Sequence, residues 1–410
     1  MARAVIFVVI FLLTSVYTGT AQLSEYMGTP FLTNYPPETY NQHPQTWDIV
    51  QDHRGVMYFG NVNGVLEFDG ATWDLIELPG KTTARSLAVD SQGRVYVGSY
   101  GDLGYLSADE KGKLRFVSLS HLIPPEHQPF YDIWNIKQVE GDVFFHTDKR
   151  IFRYDGRDIQ VYQVFERTDN LNIETAFVYQ DHYYFMAGKK GLFRVVSDTL
   201  EQVINGGGLV TGVETITRLE GNRFLFIARD RFYVLDMERR VVEPFDSPDA
   251  GYFLENQLYM GLVGMGNYMA VGTSLGGVVL MDRDGFIVKV IDEQDGLLTG
   301  SVYHLYRDRR NNLWVATSNG ISRIEMSSPI TYWNSRSGLR GYVSDLRRME
   351  KRLYIATENG IQYMEDGQIY RFSDYKEQCW NFYNYRAPDQ TEHLLVGTNT
   401  GLYRIAGNKF

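Results

Sequence analysis

Short apolar runs recur along the chain, each ending in a polar turn that contains glycine. Leu313-Trp314-Val315-Ala316-Thr317 leads into Ser318-Asn319-Gly320-Ile321, and Leu353-Tyr354-Ile355-Ala356-Thr357 leads into Glu358-Asn359-Gly360-Ile361. Leu395-Val396-Gly397-Thr398 leads into Asn399-Thr400-Gly401-Leu402, and Met57 to Val65 repeats the pattern. Weaker copies begin at Val95, Val143, Tyr184, Phe224 and Tyr268. The marker residue after each apolar run stands at positions 60, 98, 146, 187, 227, 272, 316, 356 and 397. A repeat of about 42 residues is the length of one supersecondary unit that buries its apolar face only against its neighbours.

Each unit reads as four short strands. In the clearest copy they are Val302 to Arg307, Leu313 to Thr317, Ile321 to Glu325 and Ile330 to Trp333. Asn319-Gly320 suits a type I′ hairpin between the second and third, and Asp69-Gly70, Asp155-Gly156, Asp284-Gly285 and Asp366-Gly367 mark turns between third and fourth. Asp52, Asp90, Asp181 and Asp308 recur at the turn after the first strand, where a carboxylate satisfies backbone donors. No sustained helical period appears. The fold class predicted is all-β, a β-propeller of four-stranded antiparallel blades with about nine units.

The arrangement of those units has two readings. Seven form a first ring over residues 22–328, and residues 329–410 begin further, incomplete blades. Alternatively Pro30 to Tyr35 supplies the missing outer strand of unit nine and closes one larger ring. Closure of that second kind removes exposed sheet edges. The first reading is preferred, because nine blades would be unusual.

Composition narrows the chemistry. The 410 residues carry 50 acidic against 40 basic side chains, a formal net charge of −10. That balance argues against a nucleic-acid partner, which needs a basic surface. The single cysteine, Cys379, excludes an intrachain disulfide framework and a cysteine-based zinc site. Glycine (39) and tyrosine (29) are abundant, as hairpins between aromatic-rich strands require. Arg3, the apolar run Ala4 to Leu13, and small residues at Gly19 and Ala21 read as a secretory signal peptide over residues 1–21. The run is far shorter than the roughly 20 residues of a spanning helix. Export to the periplasm is the expectation.

At this point the residues resemble a known family. Asp295-Gly296-Leu297, Val302 to Asp308, Asn312 to Thr317, Asn319-Gly320-Ile321 and Arg323-Ile324 are similar to the two-component regulator propeller repeat. Trp47 to Asp52 with Phe68-Asp69-Gly70 and Trp73 resembles the opening of long periplasmic sensors of the Bacteroidetes. The resemblance covers about residues 40 to 410, with units three to six only approximate. It implies blades outside the inner membrane, followed in family members by a triple-tyrosine domain, a membrane helix and an output domain. No such later segment is legible before Phe410, so a truncated sensor or a stand-alone ligand module is expected.

Catalytic constellations are not legible. The sequence has no His-Glu-x-x-His, no phosphate-binding glycine loop ending in Lys-Ser/Thr and no Gly-x-Ser-x-Gly. Gly206-Gly207-Gly208 lies between units and reads as a connecting loop. The eight histidines are scattered, so no metal and no cofactor is expected, and no catalytic residue is assigned.

A propeller's ligand site usually lies where the innermost strands start, around the channel mouth. There the units differ in charge and size: Trp47 and Asp48, Arg85 and Ser86, Trp134 and Asn135, Glu214 and Thr215, Tyr303 and His304, Ser344 and Asp345. The longer loop Ser99 to Gly104 brings Tyr100 to the same face. Aromatic faces among carboxylate, guanidinium and amide groups suit a small polar ring such as a sugar. The reading is a non-catalytic, ligand-sensing module of a signal-transduction receptor for a glycan fragment, with downstream sensor domains or a second copy as partners. The alternatives are an exported polysaccharide lyase or hydrolase, which needs a clustered acid–base pair at one mouth, and a protein-binding scaffold.

Overall fold

The computed structural model describes residues 28–365, 367–372 and 375–405. The signal peptide read at residues 1–21 and Asp366 of one Asp-Gly turn lie outside the described residues. The chain is a β-propeller. Eight antiparallel sheets have four strands and one has three among these residues. The first sheet shows the pattern: Thr46–Gln51 is innermost, followed outward by Met57–Asn61, Gly64–Phe68 and Trp73–Ile76. Six successive sheets, ending with Ile287–Ile291, are built from consecutive strands, including the four units whose repeat was faint.

The seventh sheet breaks that rule. Val302–Arg307, Leu313–Thr317 and Gly320–Ile324 are its inner three strands, and the fourth is the N-terminal Leu32–Tyr35. Leu32 stands opposite Ile324 and Tyr35 opposite Ile321. The expected outer strand Ile330 to Trp333 therefore has no place in the blade; Tyr332 instead bridges Thr29. The strand proposed for unit nine is spent on unit seven. Unit nine, Cys379–Arg386, Glu392–Thr398 and Gly401–Ile405, has three described strands.

Closure is a packed interface. Tyr35 lies parallel to Trp314 at 5.8 Å and edge-on to Phe68 and Trp73. Phe59, Phe68, Trp314 and Ile321 form one buried cluster that joins the first and seventh sheets. Tyr306 Oη accepts the Gln51 N–H at 3.2 Å, and Gln51 Oε1 accepts the Arg309 N–H at 3.0 Å. Similar apolar layers fill the gaps between other sheets, with Phe145, Phe185, Phe226 and Val315 fully buried. Each buried large side chain contributes roughly 1.5–3 kcal/mol. The helix Ala250–Asn256 inserts Phe253 into the layer that joins sheets five and six.

The turns differ from the expected hairpin type. At Asn319-Gly320 the two loop residues are Ser318 and Asn319, and Gly320 opens the next strand at φ +117°. Thr317 Oγ1 donates to Gly320 O at 3.0 Å, and Thr357 repeats this with Gly360 at 2.8 Å. A Cβ on Gly320 would lie 2.7 Å from Tyr35 O, so the glycine admits the closing strand. The carboxylates of Asp52, Asp90 and Asp308 accept backbone N–H groups two and four residues on. Asp181 does not share that role. It sits at φ +55° beside Gln180 in a turn too tight to form the loop.

After the ring, residues 327–342 return along it. Arg336 forks onto Asp292 and reaches Asp295 Oδ2 at 3.1 Å, while Tyr332 Oη donates to Asp295 O at 2.8 Å. Gly206–Gly208 is a single 3-10 turn whose Gly207 N–H donates to Asn205 Oδ1, a connecting loop. Among the described residues no helix is long and apolar enough to cross a membrane.

Candidate functional site

The innermost strands of the first seven sheets run side by side around a cavity of about 300 Å³. Trp47, Asp48, Arg85, Trp134, Asn135, Glu214, Thr215 and His304 line it. Those residues stand at or near the start of their strands, where each strand enters the ring. The same cavity receives Lys137, Thr175 and Met260.

The mouth is an aromatic stack with a cation in it. Tyr259 and Tyr303 meet at 5.8 Å, and Tyr303 lies nearly parallel to Trp47 at 6.5 Å. The Arg85 guanidinium sits 4.1 Å from the Trp47 ring and 5.3 Å from the Trp134 ring. Such a cation–π sandwich holds the side chain while its Nε donates to Asp132 Oδ1 at 2.9 Å. Trp134 is 45 % exposed, so part of its side chain is open to solvent. Trp47 Nε1, Arg85 Nη1 and Asn135 Oδ1 are buried without a hydrogen-bond partner among the described residues. An unpaired buried polar group costs about 1–3 kcal/mol, and three at one mouth mark a place where partners are wanted.

Below the mouth, Asp48 spends both oxygens. Oδ1 accepts the Ile49 N–H at 2.8 Å and lies 3.2 Å from His304 Nε2; Oδ2 accepts the Leu87 N–H at 2.8 Å. Burial lowers the His304 pKa, Asp48 opposes that shift, and Lys137 adds to it. Partial burial raises the Glu214 carboxyl, helped by Asp230. Behind the wall, His146 is fully buried and held down to about 3 by burial and then Lys137. Its Nδ1 lies 3.3 Å from Tyr183 Oη, and its Nε2 has no partner among the described residues.

Five expected positions fall elsewhere. Tyr303 flanks the mouth through Trp47 and does not line the cavity. Tyr100 is 52 % exposed and packs on Tyr131 at 6.0 Å; its backbone bridges Asp132, which ties that loop to Arg85. Ser86 is buried and donates to Ile133 O at 2.7 Å, a bond between blades. Ser344 and Asp345 belong to the eighth sheet, outside the ring, and Asp345 accepts backbone N–H groups of Leu346 and Phe382. Lys137 was legible: it lies two residues beyond Asn135 on one strand, and alternate residues share a face. Thr175 and Met260 were hidden because units four and six repeat weakly.

Residues 296–319 match the family model described as two component regulator propeller. The matched segment runs from the turn before the seventh sheet to the Ser318-Asn319 loop, where the ring closes. No curated protein matches the sequence. Among solved structures, the chain is similar to the extracellular domain of the hybrid two component system BT3049 from B. thetaiotaomicron. The two share 15% identity at a TM-score of 0.69, over 93% of this chain and 54% of that one. The extracellular domain of BT4673 from the same organism gives 14% identity and a TM-score of 0.56, over 93% and 52%. The chain thus spans about half the length of these domains. Virginiamycin B lyase from Staphylococcus aureus is also similar, with 14% identity and a TM-score of 0.54, over 72% of this chain and 97% of the lyase. At these identities the likeness is one of fold.

Proposed function

We propose that the ring is the ligand-reading module of a two-component sensor exported to the periplasm, non-catalytic by itself, and that it receives a glycan fragment at the channel mouth. The observation that carries this reading is the Trp47–Arg85–Trp134 stack over a cavity of about 300 Å³. A flat aromatic face covers the apolar side of a pyranose, and adjacent fixed donors pair its hydroxyls. The propeller repeat at residues 296–319 and the fold shared with extracellular sensor domains support the sensor context. In that context, a ligand bridging several inner strands alters how the ring sits against the domains that follow it.

The test is a thermal-shift and calorimetry screen against neutral and acidic oligosaccharides, repeated with Trp47→Ala and Trp134→Ala. At least one oligosaccharide class raises the melting temperature of the parent, and both variants lose the shift. No shift with any member overturns the reading.

A further inference from the structure

Most charged groups of the channel have a partner in contact, whereas Lys137 is desolvated by burial and feels Asp48 only at a distance. Asp48 is bound on both oxygens, by two backbone N–H groups and His304. Arg85 is held by Asp132 and two indoles. Glu214 stands two blades from Lys137, beside Asp230. Lys137 remains. Among the described residues no hydrogen bond or salt bridge holds its ammonium, although the side chain lines the cavity. Other partly buried lysines of the ring are tied down. Lys149 Nζ donates to Asp169 O, Leu171 O and Asn172 Oδ1 at 2.8, 2.6 and 2.8 Å, and Lys289 Nζ donates to Thr29 Oγ1 at 3.4 Å.

An ammonium taken from water without a partner is costly, and a bound anion removes that cost. A carboxylate accepts from several donors at once. Lys137 can supply one such bond from the strand that also carries Asn135, beneath the stacked indoles. Resting on the sensor reading above, we propose that the ligand of this channel carries a carboxylate, as a uronic-acid sugar does, and that Lys137 is its counter-charge. Its ring lies against the indoles while its acid group reaches inward to the ammonium. Neutral sugars of the same shape meet the same aromatic faces and leave Lys137 unpaired.

Two measurements on the full chain decide this. Without ligand, Lys137→Met removes an unpaired charge and raises the melting temperature by a few degrees. A fall would show the lysine to be a structural counter-ion of Asp48 and overturn the proposal. With ligand, trigalacturonate and oligoglucuronate are compared with their carboxyl-reduced, neutral counterparts. The acidic forms bind at least tenfold more tightly, and Lys137→Met abolishes that preference while Lys137→Arg retains most of it. Equal binding of both forms, lost in Trp47→Ala, overturns the acid proposal and leaves the glycan reading standing. Failure of acidic and neutral members alike overturns both.

Discussion

Asp48 and Asp345 do the same work in different sheets. Each carboxylate accepts the N–H of the residue after it and the N–H of a residue on the next sheet's inner strand. Those partners are Ile49 and Leu87 for the first aspartate, Leu346 and Phe382 for the second, and all four bonds measure 2.8 Å. The shared role explains why Asp345 aligned with channel residues by repeat position while lying far from the cavity. A short acid at this point staples one blade to the next.

Removing either staple strands two backbone donors. Asp48→Ala and Asp345→Ala are each expected to lower unfolding stability by about 1–3 kcal/mol, and the asparagine variants by less, since one acceptor oxygen survives. Hydrogen exchange separates them. The first loosens sheets one and two together with His304, and the second loosens only sheets eight and nine. Identical exchange maps for the two variants would contradict the assignment.

Gly320 reports on closure by the N-terminal strand. Gly70 and Gly320 both have positive φ, +103° and +117°, but nothing lies within 4 Å of a Cβ on Gly70. Alanine at either position bears the left-handed penalty of about 1–3 kcal/mol. Gly320→Ala also drives a methyl into Tyr35 O, and is expected to cost a further 1–2 kcal/mol or so. In a chain begun at Pro37 that excess disappears, because Tyr35 is gone. Urea denaturation of the parent, Gly70→Ala and Gly320→Ala, each in full and truncated form, measures the difference, and an excess that survives truncation would refute the closure.

His146 sets an acid limit on stability. Burial and then Lys137 hold its folded pKa down to about 3, against 6.5 for the free side chain. The unfolded chain therefore binds a proton that the folded chain refuses. Stability is complete above pH 6.5 and falls as the pH drops toward about 3. His304 shifts in the same direction and adds to the slope. His146→Gln should show a shallower decline between pH 6.5 and 4.5 than the parent, read by denaturant midpoints. Equal slopes would place the proton elsewhere.

The repeat made most of the fold legible. A period of about 42 residues, the Asp-Gly and Asn-Gly turns and the alternating apolar runs specify four-stranded blades, because each is a local consequence of strand pleat and turn chemistry. Even the faint units three to six fold into the same sheets. The candidate site was legible in part: Trp47, Arg85, Trp134, Asn135, Glu214 and His304 were placed on the channel by strand position alone. Lys137 is the third residue of its strand Asn135–Val139, beyond the strand starts that mark a channel mouth.

Sequence order could not say which strand completes which sheet. Leu32–Tyr35 is chemically suited to any open edge, and Ile330 to Trp333 reads as well for the seventh blade as the strand that occupies it. The choice was made by contacts between residues nearly three hundred positions apart: Tyr35 against Trp314, its carbonyl over Gly320, and Asn34 Oδ1 accepting from Ser322 Oγ at 2.7 Å. The same holds for the site. Sequence determined a ring of varied side chains, and tertiary structure decided which of them meet. Arg85 is taken by two indoles and Asp132, Asp48 is taken by backbone, and Lys137 is left facing the cavity. Pairing between distant residues depends on where blades stand around an axis, and no local pattern encodes that.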